Sequence, residues 1–291
     1  MSSELNRVNK YIEQCEELAK NHPGPIAHSL HFKATTGGPH IYFSFCVHGN
    51  EVGSLPALFR LIQEIQSQKI SYPGPLTFSL GNVAAMRAGR RYIEMDMNRH
   101  YGDGASSPPE AQRANELAQL IDKCHVFIDI HQTIEPTLGP FYVLSEKPEN
   151  LELAQALGAT QIALMRKPAV EKGSYKTATN YAFAKNKTAL TIELSQRGFV
   201  PEAEELAFEL MKNVLLIYSQ MSKNLNFLRQ KSQSMPPLKL LDIEFYQAFD
   251  GPLCRLNEGF SNLQVIKENQ VVGRSHSGKD LVAPFRGVML F

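Results

Sequence analysis

Charge imbalance, paired cysteines and long apolar runs are all missing from this 291-residue chain, and each absence removes a class of function. Thirty basic against 29 acidic residues leave a formal net charge of +1. No global field therefore draws in nucleic acid or an acidic membrane surface. No apolar run approaches the ~18 residues that span a bilayer, so no membrane association is expected. Met1-Ser2-Ser3-Glu4-Leu5-Asn6 lacks the apolar segment of a signal peptide. Cys15, Cys46, Cys124 and Cys254 are widely spread and form no CxxC pair. Cys46 and Cys124 fall in or beside expected core strands and read as buried thiols, the pattern of a reduced, cytoplasmic protein. Internal repeats and low-complexity tracts are absent. So are HExxH and HxxEH, the zinc motifs that carry both histidines on one helix. What remains, 43% apolar and 20% charged residues, suits one large globular domain or one with a small appendage.

Periodicity supplies the organisation. Leu5, Val8, Ile12 and Leu18, then Leu55, Leu58, Ile62 and Ile65, recur at helical spacing and predict helices over 5–20 and 53–67. Further helices are expected at 108–123, with Ser107 as cap before Pro108-Pro109-Glu110, at 149–157, and at 201–221 behind Pro201. Apolar runs at 40–47, 76–80, 125–130, 160–165 and 188–193, with a weaker one at 141–144, read as strands. Strands alternating with helices of this length predict an α/β fold, its largely parallel sheet covered on both faces. The character changes near Ser232. Met235-Pro236-Pro237 and the turns around Gly251-Pro252, Gly259, Gly273 and Gly278 introduce short β segments. The expected division is a main domain over 1–230 and a small β-rich domain over 235–291. The chain stops at Val288-Met289-Leu290-Phe291, inside an expected strand, which reads as a truncated end.

Three of the apolar runs end in chemistry. Ile41 to Val47 leads into His48-Gly49-Asn50-Glu51, Val126 to Ile130 into His131, and Ala189 to Ile192 into Glu193. The C-terminal edge of such a sheet is where ligands bind. His48, Glu51 and His131 make a His₂Glu set, three protein ligands that leave a fourth position of one zinc ion open. An HxxE pattern alone is common by chance; its place at a strand end and the second strand-end histidine carry the reading. Asp129, two residues before His131 and so on the same strand face, is either a hydrogen-bond acceptor for a ligand imidazole or a carboxylate bonded to loop amides. Glu193 ends a run that should be buried. It is either a proton carrier facing a cleft or a structural acid paired with Arg197 or a lysine. Residues 82–101 hold Arg87, Arg90, Arg91, Asn98 and Arg99, a carboxylate or oxyanion clamp in one reading and a surface charge network in the other. Of the other histidines, His22, His28, His31, His40 and His276 read as surface or turn residues, His125 sits at the wrong strand end, and His100 follows Arg99.

Taken together, His48-Gly49-Asn50-Glu51, Arg90-Arg91-Tyr92, Asp96-Met97-Asn98-Arg99, Asp129-Ile130-His131 and Ile192-Glu193-Leu194 resemble the succinylglutamate desuccinylase/aspartoacylase family, a branch of the zinc carboxypeptidase superfamily. The match runs from about residue 40 to 200, and the tail Val282 to Val288 resembles the family's C-terminal domain. The resemblance implies a zinc-carboxypeptidase-like fold with zinc on His48, Glu51 and His131. It implies Glu193 as general acid/base for a metal-activated water, Arg91 on the scissile carbonyl, and Asn98 with Arg99 on the substrate's free carboxylate. The implied reaction is hydrolysis of the amide of an N-acyl amino acid. The rivals are a carboxypeptidase of short or cell-wall peptides and a non-catalytic carboxylate-binding protein; a homo-oligomer is compatible with each. Departures lie at Leu194-Ser195-Gln196-Arg197 and at Gln132-Thr133. The upstream arginine that some members use for an acidic side chain has no match either, with Lys172, Lys176 and hydroxyls offered instead.

Overall fold

The computed structural model describes residues 3–103, 108–166 and 177–290. In chain order α1 (Ser3–Ala19) is followed by β1 (Ser29–Phe32), β2 (Ile41–Phe45), α2 (Leu55–Gln66), β3 (Leu76–Leu80) and α3 (Val83–Ala88). A 3₁₀ turn (Met97–Arg99), α4 (Pro109–Lys123), β4 (Val126–Thr133), β5 (Phe141–Ser145), α5 (Pro148–Leu157), β6 (Ile162–Arg166) and α6 (Ala178–Ala184) come next. Then follow β7 (Thr188–Gln196), α7 (Pro201–Met221), α8 (Phe227–Gln233) and β8 (Lys239–Asp242). The short strands β9 (Arg255–Leu256), β10 (Val265–Ile266), β11 (Val271–Arg274), β12 (Asp280–Val282) and β13 (Gly287–Val288) close the chain.

Strands β1 to β8 form one sheet in the order β1-β3-β2-β4-β7-β5-β6-β8. Pairing is parallel through β3-β2-β4-β7 and again through β5-β6-β8, and antiparallel at β1·β3 and β5·β7. The sheet is thus mixed but mostly parallel, as expected, with one qualification that matters below. β5, β6 and β8 run opposite to the strands that carry the strand-end residues.

Side-chain alternation explains the layers. Ile41, Phe43, Phe45, Ile128 and Leu190 face one side, where α1, α2, α5 and α7 bury Ile12, Leu58, Leu153 and Met211 against them. Tyr42, Phe127 and Ala189 face the other, under Leu117 and Ile121 of α4 and Ala178 and Ala182 of α6. Strands covered on both faces read as continuous apolar runs, which is why they were legible. The C-terminal β segments dock where α4 and α6 leave the sheet bare, with Leu263 and Val288 packing on Phe141, Val143 and Leu164. Asn262 fastens them by donating to the carbonyls of Glu135 and Pro136.

Several elements were not legible: β1, α3, the 3₁₀ turn, α6 and α8 are each seven residues or shorter, too short for a period to show. β8, past Met235-Pro236-Pro237, pairs with β6 in the main sheet, so one strand of that sheet lies beyond the 230–235 division; the antiparallel pieces begin at Arg255. The expected Ser107 cap, Lys172, Lys176 and Phe291 lie outside the described residues, and Pro108 precedes α4.

Candidate active site

The chain leaves β2 through Cys46, whose φ of 53° is unusual for a residue with a side chain, and turns at once into His48. Gly49 and Gly53 do not have positive φ. Their glycines are required by close approach instead. A Cβ on Gly49 would collide with the backbone of Ala85 and Met86, and one on Gly53 would sit 2.5 Å from Gln132 Nε2 and Gly198 O. Packing, rather than dihedral freedom, is what requires glycine at both positions.

This turn brings the three expected ligands together. Ligand atoms of His48, Glu51 and His131 lie within 4.8 Å of one another, all three residues buried. His48 Nδ1 is 2.7 Å from Glu51 Oε1 and His131 Nδ1 is 2.9 Å from Glu51 Oε2. The far nitrogens are held too: His48 Nε2 lies 3.0 Å from Asp96 Oδ1 and His131 Nε2 2.9 Å from Asp129 Oδ2. A hydrogen on each Nε2, given to a carboxylate, leaves each Nδ1 lone pair aimed at the cluster. That is the support a ligand histidine needs. Asp129 thus faces the imidazole rather than loop amides. Arg91 Nη1 donates to Glu51 Oε1 at 2.9 Å, and Nη2 lies 2.8 Å from His48 Nε2. Burial favours the neutral forms, yet Glu51 with Asp96, and Asp129 with Glu51, hold the two histidines above the usual range. Burial likewise pushes Glu51 up, and the two imidazoles outweigh it, holding the carboxyl far below its ordinary value.

Strand register places the fourth residue. β4 and β7 are parallel with His131 directly beside Glu193, so both side chains leave the same face. Burial raises the Glu193 carboxyl above the carboxylate range, against His131. Among the described residues its Oε2 is buried with no hydrogen-bond partner, and Glu193 forms no ion pair with Arg197 or a lysine.

A cleft of about 130 Å³ opens over His48, His131 and Glu193, walled by Arg91, Asn98, Arg99 and Arg166. Asn98 Oδ1 accepts from Ala178 N at 2.9 Å, which turns its amide NH₂ away from that bond. Arg99 Nη1 donates to Asn98 O at 2.8 Å, and half of its side chain stays exposed. Ser145, Thr179 and Thr191 add hydroxyls.

A family model for the succinylglutamate desuccinylase/aspartoacylase catalytic domain matches residues 37–218, more than half of the chain. The chain belongs to the succinylglutamate desuccinylase/aspartoacylase family. A succinylglutamate desuccinylase of Pseudomonas aeruginosa is 27% identical over 198 residues, covering 62% of this chain and 58% of that protein. The chain thus spans less than two-thirds of that relative. One from Shewanella piezotolerans is 25% identical over 253 residues, covering 79% and 68%. The solved succinylglutamate desuccinylase of Vibrio parahaemolyticus superposes with a TM-score of 0.69 at 17% identity, over 89% of this chain and 79% of that one. At that identity the superposition establishes the fold.

Within this family member, sequence reasoning missed three residues. Arg166 ends β6, lines the cleft half-buried and has no ion-pair partner among the described residues; burial and Arg99 push its guanidinium below the usual range. It was passed over although it ends a strand as His131 does; only the pairing of β6 through β5 against β7 places it on the cleft wall. Gln132 joins the turn after His48 to the end of β7, and Asp96 meets His48 Nε2; in sequence Gln132 follows His131 and Asp96 opens its motif, with no role attached to either. The remaining histidines lie elsewhere. His31 and His40, expected at the surface, are partly buried around the Thr77 hydroxyl at the opposite strand ends, and His100 pairs with Asp103.

Proposed function

We propose that this chain is a zinc-dependent hydrolase that cleaves the amide bond of an N-acyl amino acid. The observation that carries the reading is the pair of Nδ1 atoms facing Glu51, with the unpartnered carboxylate oxygen of Glu193 alongside. A binding protein for small carboxylates has no use for a desolvated acid with raised pKa beside a metal-type donor set.

The donor set fits one divalent ion, zinc by its His₂Glu chemistry: His48, Glu51 and His131 would hold it through nitrogen and oxygen, and both outer Nε2 atoms are anchored. Such an ion, when bound, polarises a carbonyl and lowers the pKa of water. The protein's residues do the rest. Glu193, kept from solvent, takes a proton from the attacking water and passes it to the leaving nitrogen. Arg91 places a guanidinium on the cleft wall, where charge develops on the carbonyl oxygen. Asn98 and Arg99 bind the free carboxylate of the amino acid. Arg166, half-buried on the cleft wall with no ion-pair partner among the described residues, adds a second guanidinium to that of Arg99 and favours a substrate with a second anionic group.

The test pairs metal content by mass spectrometry with turnover. Wild type and His131→Ala are assayed on N-succinylglutamate, other N-acyl amino acids and dipeptides. The expected result is about one zinc per chain and release of free amino acid, both lost in the variant. Turnover of dipeptides alone would move the reading to a peptidase. A metal-free wild type that cannot be reconstituted would overturn it.

A further inference from the structure

Glu110 is an acid, 5% exposed, that the reaction does not use. It sits in the first turn of α4, where the helix dipole favours a negative charge, and its carboxylate reaches out of the helix. Oε1 accepts from Ile93 N at 2.8 Å and from the Asn82 amide; Oε2 accepts from Glu94 N and Met95 N, each at 2.7 Å. Burial alone would raise this carboxyl; the three backbone N–H groups outweigh it and hold the group ionised.

The segment so held is 90–96. It has no helix or strand, and Arg90, Tyr92, Ile93 and Glu94 are exposed. No apolar packing therefore fixes its course, and three successive N–H groups turned onto one carboxylate do. At its start lies Arg91, whose carbonyl accepts from Gly49 N at 3.0 Å. At its end lies Asp96, which meets His48 Nε2 and also accepts from Asn98 N at 2.9 Å.

We propose that Glu110 is a positioning residue for the metal site: it anchors 93–95 so that Asp96 orients His48 and Arg91 faces the cleft. This rests on the metal-site reading above. Glutamine keeps the shape but must set an NH₂ against one of the two donor pairs, so Glu110→Gln should push the segment off its anchor without opening a cavity.

The experiment measures zinc affinity by chelator competition, alongside circular dichroism and thermal unfolding, in wild type, Glu110→Gln, Glu110→Asp, Asp96→Ala and the Glu110→Gln/Asp96→Ala double variant. The expected result is a folded Glu110→Gln protein that binds zinc roughly 10–100-fold more weakly, the usual cost of losing a ligand's outer support. Asp96→Ala should lose a similar factor, and the double variant clearly less than the product of the two single losses, because Glu110 acts in part through Asp96. Glu110→Asp, which restores the charge, should recover part of the loss. Unchanged affinity in Glu110→Gln, or losses that multiply in the double variant, would overturn the proposal. If Glu110→Gln does not fold, Glu110→Asp with and without Asp96→Ala makes the same comparison. A wild type that binds no zinc would instead overturn the metal reading itself, which separates the two failures.

Discussion

Gln132 offers a perturbation whose size follows from the structure. It is 2% exposed. Its Oε1 accepts from Gly53 N at 2.7 Å, and its Nε2 donates to Gln196 O at 2.9 Å and Gly198 O at 3.0 Å. Leucine nearly matches its volume, so Gln132→Leu leaves little cavity and removes hydrogen bonds only. The Gly53 N–H is buried and loses its partner, at about 1–3 kcal/mol. Gln196 O keeps the Ser195 hydroxyl at 3.1 Å and Gly198 is only half-buried, so each carbonyl falls near the ~1 kcal/mol end. The sum is about 3–5 kcal/mol, or a Tm lowered by roughly 6–10 °C in a chain of this size. Urea and thermal unfolding in chelator, so that bound metal does not add stability, measure it. A loss under ~1 kcal/mol would show that these contacts do not tie the metal turn to β7. Gln132→Glu should be pH-dependent in a defined direction. The new carboxyl faces two carbonyls, so its folded pKa is raised above ~4.3. Relative to wild type the variant is therefore least destabilised below that value, and the difference grows as pH rises to the folded pKa.

Other outcomes follow from the same geometry. Glu193→Gln should retain zinc and lose about 10²–10⁴-fold in turnover; retained turnover would remove Glu193 from the chemistry. Because burial raises the Glu193 carboxyl and the ionised form is the base, kcat/KM in wild type should fall as pH drops through that raised value. An acidic limb at the ordinary carboxylate pKa would contradict the burial. Arg91→Ala should cost on the order of 10²–10³ in kcat, as loss of an oxyanion donor does, and near-normal turnover would leave Arg91 with its Glu51 contact alone. Cys15 and Cys124 are buried, and burial pushes both thiols up to about 12. Thiol reagents at pH 8 should therefore label them only after denaturation; rapid labelling of the native protein would refute the packing around them.

Much of the site was legible because the sheet buries both faces. Where a strand must be apolar throughout, a histidine or glutamate at its end stands out, and His48, His131 and Glu193 did so without any alignment. Glu51 followed from its three-residue spacing to His48, and Asp129 from its two-residue spacing to His131. These are local relations, fixed by the period of a strand or the reach of a turn. Helices and strands of ordinary length were legible for the same reason. What spacing cannot express is direction and neighbourhood. Arg166 ends a strand as His131 does, yet only the reversed pairing of β5 with β7 tells which wall it occupies. Glu110 looks like a first-turn helix acid until the fold brings 93–95 against it. Gly49 and Gly53 look like turn glycines until Ala85 and Gln132 approach. Sequence alone determined which residues are the candidates for the chemistry, because type and period are local. Tertiary structure decided which residues hold them in place, because those contacts join segments as far apart as the 81 residues from Glu51 to Gln132, and no periodicity spans that distance.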